Sequence, residues 1–115
     1  MDNVRISRDA DTLISVLYKA YLDRRKSGTP KEQARFFSDS HYIHENLMPK
    51  WVFEDVDSTC WELHEAGLLS CLPGDGIAYL VMLTDQAVTY QENRFHDKAE
   101  GLLGYLERLR ALLPW

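Results

Sequence analysis

The sequence has no lysine or arginine between Trp51 and Asn93, only two cysteines, and no long apolar run. A membrane-spanning helix needs ~20 apolar residues, whereas the runs here, such as Ile77–Leu83, are much shorter. The first residues also lack the apolar core of a signal peptide. We therefore expect a soluble, cytoplasmic protein that has no membrane partner and whose thiols stay reduced.

Neither a second domain nor a crosslinked scaffold fits the length and composition. A chain of 115 residues, of which 45% are apolar, corresponds to one domain. Such a chain buries roughly two-thirds of its unfolded surface, so its core needs neither disulfides nor metals. The sequence predicts a single domain over residues 1–115.

The net charge of −5 is unevenly distributed along the chain. Residues 1–50 hold nine basic and seven acidic side chains, and residues 94–115 hold four basic and three acidic ones. The central stretch has no basic residue and eight acidic ones, which are Glu54, Asp55, Asp57, Glu62, Glu65, Asp75, Asp85 and Glu92. The acidic excess of the protein therefore originates in the middle of the chain.

Helical periodicity dominates the first half of the sequence. Apolar residues recur at three- and four-residue steps over residues 11–26, which indicates a helix with one buried face, ended by Gly28. A second helix should begin at Pro30 and carry Ala34, Phe36 and Phe37. After an interruption at residues 38–40, a further helical stretch is expected over residues 41–47.

A third helix and a hairpin follow. Residues 53–66 have an apolar face and acidic residues in the first turn, where the helix dipole favours them. Short apolar runs at residues 68–72 and 77–83 are separated by Pro-Gly-Asp-Gly, which predicts a two-stranded β-hairpin. Thr84 should cap a helix that begins at Asp85.

Three helices, a two-stranded wing and a closing helix form an order that resembles a winged helix-turn-helix domain. Residues 63–69 read LHEAGLL and residues 79–87 read YLVMLTDQA. They resemble the segment of MarR- and PadR-type repressors where the recognition helix ends, the wing folds back and the next helix begins. The chain is also similar to small uncharacterised winged-helix proteins of bacterial mobile elements. The resemblance implies an α+β, mostly helical fold and a regulatory or accessory binding role.

DNA binding in the usual mode conflicts with the charges. In the resembled families the third helix enters the major groove and the wing touches the backbone, so both present cations. Here both elements are acidic, and DNA should repel them. A DNA- or phosphate-binding patch on other elements is an alternative, formed by Arg24, Arg25, Lys26, Lys31, Arg35 and Lys50. In the alternative interpretation these residues form an ordinary solvated face, interleaved with Asp23 and Glu32.

Protein recognition is the competing function. A helical wheel places a polar surface on the third helix, opposite its apolar face, with the residues Glu54, Ser58, Trp61, Glu62 and Glu65. An exposed tryptophan within a polar rim is typical of an interaction hot spot, here suited to a basic partner. Alternatively, Trp61 is covered by the protein's own terminal helix or by a second copy.

The final helix carries a wide apolar stripe. Asp97 should cap it, and it should extend over residues 97–113 until Pro114 stops it. Because the resembled families commonly dimerise through terminal helices, we predict a homodimer with contacts from Leu102, Leu106, Leu109 and Leu113. In the alternative interpretation, the stripe only covers the core of a monomer.

Residues suited to metal binding or catalysis are few. His41 and His44 lie three residues apart, and Cys60 and His64 lie four apart, but no zinc motif accompanies either pair. The sequence has no nucleophile elbow and no phosphate-binding glycine loop. We expect a protein without enzymatic activity, metal or cofactor.

A set of aromatic residues is the remaining candidate for a ligand pocket, of the kind found in some winged-helix sensors. Its members are Tyr18, Tyr21, Tyr42, Trp51 and Phe53. Aromatic residues in such patterns belong to the core more often than to a pocket, which is the alternative interpretation.

Overall fold

A computed structural model of the chain describes residues 5–95 and 99–115. In these residues the fold is α+β and mostly helical, as expected, with six helices and one antiparallel pair of strands. The elements are α1 (Arg8–Lys26), α2 (Lys31–Ala34), α3 (Ser40–Asn46), α4 (Phe53–Glu65), β1 (Leu69–Gly74), β2 (Ile77–Leu83), α5 (Asp85–Phe95) and α6 (Ala99–Leu112). Within the same ranges, no helix combines the length and the apolar character needed to cross a membrane.

α1 packs against four of the other five helices. Ser7 caps its amino terminus, since the Ser7 hydroxyl oxygen accepts the backbone N–H of Ala10 at 3.1 Å. The helix ends where the sequence predicts, at Gly28, whose φ of +96° lies in the left-handed region that favours glycine. The apolar face of α1 is buried against α2, α4, α5 and α6.

The prediction that the second helix includes Phe36 and Phe37 is wrong. α2 ends at Ala34, and the chain then becomes extended. The Phe37 N–H donates to the Val81 carbonyl at 2.8 Å, and the Val81 N–H donates to the Ser38 carbonyl at 2.9 Å. Because β2 supplies hydrogen-bond partners for these backbone groups, the segment does not continue as a helix.

This extended segment, residues 35–39, lies along the free side of β2. Isolated bridges join Phe36 to Met82 and Asp39 to Tyr79. Asp39 then caps α3, because its carboxylate accepts the backbone N–H of Tyr42 at 2.9 Å. The interruption and the helix after it therefore fall close to their predicted positions.

α4 and the hairpin also form where the sequence predicts. Gly67 ends α4 with a φ of +83°. Asp75 and Gly76 connect the strands, and both have positive φ, which suits the twist of a tight hairpin. β2 contains one residue more than β1 between the pairs Ser70–Met82 and Leu72–Tyr79, so the hairpin has a bulge.

Thr84 joins the hairpin to α5. Its hydroxyl oxygen accepts the Ala87 N–H at 3.0 Å and donates to the Gly67 carbonyl at 2.7 Å, which confirms the predicted cap. The cap predicted at Asp97 lies outside the described residues.

A polar network connects α1 to the last two helices. Arg94 donates to the carboxylate of Asp11 at 2.8 Å, Tyr105 donates to the same carboxylate, and Gln91 donates to Ser15 at 3.2 Å in the interior. Burial alone would lower the pKa of Arg94, but the hydrogen bonds and negative charge of Asp11 raise it. The network fixes α5 and α6 against α1.

Candidate binding surfaces

Arg24, the first residue of the predicted nucleic-acid-binding patch, is part of the fold. Its guanidinium donates to the carbonyl oxygens of Ala34 (3.2 Å) and Phe36 (2.7 Å) and to the hydroxyl of Tyr42 (3.1 Å). It also lies over the ring of Phe37, 4.3 Å from the centroid. These contacts hold the end of α1 against the extended segment.

Arg35 has a structural role as well. Only 10% of its side chain is exposed, and it forms ion pairs with Glu32 (3.0 Å) and with Asp85 at the start of α5. Burial would lower the pKa of Arg35, but its hydrogen bonds to the two carboxylates raise it. The guanidinium groups of Arg24 and Arg35 are thus engaged by partners within the chain, with Arg24 half-buried and Arg35 buried.

The exposed cations do not form a uniform patch. Arg25 and Lys31 line one shallow groove of about 350 Å³, but Asp85 and Glu92 line it too. Because each cation there has a carboxylate nearby, the groove is mixed in charge and attracts polyanions weakly.

Lys26 and Lys50 lie apart from that groove. Lys26 lines a different groove between α1 and α6. The backbone N–H of Lys50 donates to the carbonyl of Trp115 at 3.1 Å, which places Lys50 beside the end of the chain. Of the six cations in the predicted patch, the structure brings together Arg25 and Lys31.

The polar surface predicted on α4 is largely accessible. Glu54, Ser58 and Glu65 are exposed, and Trp61 is half-buried. The Trp61 ring meets the ring of His64 edge to face, with their centroids 5.5 Å apart. We name Glu54, Ser58, Trp61 and Glu65 the acidic α4 surface.

Glu62, the fifth residue of that prediction, contacts the chain itself. Its carboxylate accepts the backbone N–H of Ser7 at 2.9 Å and the Ser7 hydroxyl at 2.8 Å. Since Ser7 also caps α1, Glu62 joins α4 to the beginning of α1 and belongs to the fold.

The region that is poor in cations extends beyond residues 51–93. It also includes most of the extended segment and α3, which precede that stretch in the sequence. Residues 36–93 contain ten acidic residues and one cation, Lys50. This region includes α3, α4, both strands and nearly all of α5. The hairpin and α4 therefore expose carboxylates without compensating lysine or arginine.

The two histidine side chains of α3 have different partners. His41 stacks on the ring of Phe53, with centroids 4.2 Å apart, whereas His44 Nε2 lies 2.8 Å from the carbonyl oxygen of Trp51. Among residues 5–95 and 99–115, no group of three or more His, Cys, Asp and Glu side chains is arranged to hold a metal ion.

Both cysteines are buried free thiols. Burial raises the pKa of Cys60, and burial together with the charge of Asp57 raises the pKa of Cys71 to about 11. The thiols are therefore protonated and weakly nucleophilic. His64 Nδ1 lies 3.3 Å from the Cys71 N–H and 3.2 Å from the Leu69 carbonyl oxygen, so the imidazole packs along the β1 backbone.

The aromatic residues considered for a ligand pocket are distributed over separate contacts. Tyr18 and Tyr21 are buried and stack with ring centroids 6.1 Å apart. Tyr42 accepts the arginine hydrogen bond described above, and Phe53 and Trp51 contact the histidines of α3. Packing and hydrogen bonding thus account for these side chains.

The predicted dimer contacts on α6 are mostly buried within the chain. Leu102, Leu106 and Leu109 are 3%, 8% and 6% exposed, and Leu113 is half-buried. This corrects the prediction, because side chains that already lie in the core of one copy are not available to a second copy.

Two other leucines of α6 are accessible. Leu103 is 48% exposed and Leu112 is 62% exposed. Leu103 lines two grooves, of about 320 and 390 Å³, and Lys19 of α1 lines both of them as well. These two leucines are accessible to a second copy that packs on α6.

The sequence-based predictions assign no binding surface to four exposed apolar side chains on the sheet. Phe36, Leu72, Tyr79 and Leu80 are 38%, 55%, 45% and 41% exposed. Strand alternation is the sequence signal for Leu72, because its neighbour Cys71 points inward. The sequence has no comparable signal for Phe36, which joins the sheet through a bridge to a distant strand.

Comparisons of the chain with protein-family models, with curated proteins and with solved structures find no match. The surfaces described above are therefore the basis for inferring its function.

Proposed function

We propose that this protein is a non-enzymatic binding module that recognises a basic protein partner through the acidic α4 surface. The observation that carries the proposal is the charge distribution over residues 36–93, where ten acidic residues accompany Lys50 as the single cation. Such a surface attracts lysine- and arginine-rich partners and repels phosphates. Electrostatic complementarity of this kind also accelerates association and excludes wrong partners.

Trp61 supplies the apolar part of this surface. It is half-buried, and its neighbours on the same helix face are polar or acidic. A large aromatic side chain with a polar rim fits the composition of an interaction hot spot. Its edge contact with His64 holds the indole in place before a partner arrives, which limits the entropy lost on binding.

We further infer a winged-helix arrangement that serves a regulatory or accessory role. Three features support it: the order of helices before the hairpin, the extended segment that pairs with β2, and the Thr84-capped helix after the hairpin. In this arrangement α4 corresponds to the helix that DNA-binding relatives insert into the major groove. Its carboxylates favour a cationic protein at the same position.

DNA binding through other elements is the second candidate, because Arg25, Lys26 and Lys31 are exposed. The carboxylates of Asp85 and Glu92 in the groove of Arg25 and Lys31 weigh against it.

The test measures binding of a fluorescent oligolysine peptide and of a fluorescent DNA duplex to the full chain at low and at physiological salt. We expect the peptide to bind and to weaken with salt, and the duplex not to bind. Glu54→Gln combined with Glu65→Gln should weaken peptide binding several-fold. Glu107→Gln, a matched change at an exposed position of α6, should leave it unchanged.

Two results would overturn the proposal. One is duplex binding that is lost in Arg25→Ala and Lys31→Ala, which would establish the second candidate. The other is peptide binding that the Glu54 and Glu65 variant does not alter. Trp61→Ala should also weaken the peptide complex, and Trp61→Phe should retain more of the binding because an aromatic ring is kept.

A further inference from the structure

The hairpin has an outward face, which strand alternation defines. Leu69 and Cys71 of β1 point into the core, with 1% and 3% of their surface exposed, so Ser70 and Leu72 point away from it. Residues that pair directly across an antiparallel ladder lie on the same face. The partners of Ser70 and Leu72 therefore also point outward.

Two cross-strand rows build this outward face. Phe36, Met82 and Ser70 form one row, and Asp39, Tyr79 and Leu72 form the other. The extended segment, β2 and β1 thus present apolar side chains side by side. We name Phe36, Leu72, Tyr79, Leu80 and Met82 the outer sheet face.

Leu80 has a backbone conformation that leucine rarely adopts. Its φ is +51°, in the left-handed region where a Cβ atom crowds the carbonyl oxygen and where glycine or asparagine is usual. It lies at the bulge of β2, and its side chain is 41% exposed. The leucine therefore adds backbone strain without filling the core, a combination typical of recognition sites.

Carboxylates border the outer sheet face. Asp39, which also caps α3, belongs to one of its rows, and Asp75 lies exposed in the hairpin turn. The nearby cations are engaged within the chain, because Arg24 donates to the Phe36 carbonyl and to two further oxygen atoms, and Arg35 pairs with Glu32 and Asp85.

This charge pattern distinguishes between occupants. A second copy of the chain would bring the same carboxylates together, and DNA or an anionic lipid surface would be repelled. An apolar surface with an acidic rim is complementary to a polypeptide that has apolar side chains flanked by cations.

We propose that the outer sheet face is a docking site for a segment of another protein that combines apolar side chains with lysine or arginine. The apolar side chains of the segment pack on Leu72, Tyr79 and Leu80, and its cations lie near Asp39 and Asp75. The outer sheet face shares no residue with the acidic α4 surface, so each surface can be tested separately.

The experiment titrates the isotope-labelled full chain with three synthetic peptides and follows amide signals by NMR. The first is an amphipathic leucine–lysine peptide, the second has glutamate in place of lysine, and the third has serine in place of leucine. We expect the leucine–lysine peptide to shift signals of β1, β2 and the extended segment. The other two should shift these sheet signals with at least about tenfold lower affinity, because each lacks one of the two complementary features.

Leu80→Gly separates a binding role from a structural one. Glycine fits a φ of +51°, so the variant should unfold at an equal or higher temperature than the parent chain. Its affinity for the leucine–lysine peptide should nevertheless fall about tenfold, because the exposed leucine is missing. Leu22→Ser changes a similarly exposed leucine (38%) on α1 and should leave the affinity unchanged.

Several outcomes would overturn the docking site. Equal binding of the serine–lysine peptide would show that charge alone is recognised, and unchanged affinity in Leu80→Gly would remove the outer sheet face from the contact. Signal shifts confined to α4 would contradict the docking site while supporting the proposed function. Signal shifts confined to the sheet would support the docking site while contradicting the proposed function. Self-association that Leu80→Gly abolishes would identify a second copy as the occupant.

Discussion

The guanidinium of Arg24 lies 4.3 Å from the ring centroid of Phe37, and it donates three hydrogen bonds to oxygen atoms around that ring. This contact joins the end of α1 to the segment that pairs with β2. A residue that resembles a surface cation in the sequence therefore positions the sheet. The surfaces that the hairpin and α4 leave exposed are acidic and apolar.

Replacing Arg24 with alanine should destabilise the protein by about 2 kcal/mol, because the cation–π contact and the charge-assisted hydrogen bonds are lost. Arg24→Lys should recover only part of the stability that Arg24→Ala loses, since an ammonium group lacks the planar set of donors of a guanidinium. Urea denaturation measures both effects. Arg25→Ala, a change at the exposed neighbour, is the control and should alter stability by about 0.5 kcal/mol or less. Equal stability of the two alanine variants would contradict the role assigned to Arg24.

Arg94→Met should destabilise the protein by about 3 kcal/mol, because the carboxylate of Asp11, 18% exposed, then loses its cationic partner and keeps the hydrogen bond from Tyr105. The matched control is Lys19→Met, which breaks an exposed pair with Asp23 and should cost about 0.5 kcal/mol or less. Thermal unfolding of the two variants in the same buffer provides the comparison. Similar losses in both would show that the Arg94 pair is no more than a surface contact.

The sequence predicts those parts of the fold that depend on local patterns. α1, α4 and the hairpin follow from apolar periodicity, from glycine at helix ends and from turn residues. The extended segment at Phe36 and Phe37 does not, because it consists of a few residues next to a helical pattern. Its conformation depends on hydrogen bonds to β2, which lies more than forty residues later in the chain.

The sequence predicts the sign of the charge on the candidate surfaces, but it does not predict which charged side chains are paired within the fold. The absence of cations in the central stretch correctly indicates acidic exposure on α4 and on the hairpin turn. Residue type alone does not reveal that Arg35 pairs with Asp85, fifty positions away, or that Glu62 binds Ser7. The stripe of α6 has the same pattern whether it faces its own core or a second copy, so the sequence does not reveal that Leu106 is buried within one copy.

Cys71 should make the stability pH-dependent in the alkaline range. Burial and the charge of Asp57 raise its pKa from 9.0 to about 11 in the folded state, so folding favours the thiol over the thiolate. This contribution is present below pH 9 and is lost as the pH rises from about 9 to 11. We expect the free energy of unfolding to fall by about 2 kcal/mol over this window, as measured by urea denaturation at each pH.

Cys71→Ala should flatten this pH dependence in part, and the buried Cys60 should account for the remainder. The native protein should also react slowly with thiol reagents at neutral pH and rapidly in urea. An alkaline stability profile that does not change in Cys71→Ala would contradict the assignment to Cys71.

The homodimer predicted from the sequence is expected to form through Leu103 and Leu112, because Leu102, Leu106 and Leu109 are buried within one copy. We expect sedimentation at micromolar concentration to give about twice the monomer mass of 13.4 kDa, and Leu103→Glu to return the monomer mass without loss of folding. Leu106→Ala, by contrast, should destabilise the fold by about 2 to 5 kcal/mol. A mass near 13.4 kDa for the unaltered chain would contradict the dimer.

The central claim is that the acidic surfaces recognise a basic protein and not DNA. The most direct test is a pair of NMR titrations of the isotope-labelled full chain at the same low salt, one with the leucine–lysine peptide and one with a DNA duplex. The account predicts signal shifts on α4 and on the sheet with the peptide, and no shifts with the duplex. Signal shifts at Arg25, Lys26 and Lys31 with the duplex, together with no signal shifts with the peptide, would contradict the central claim.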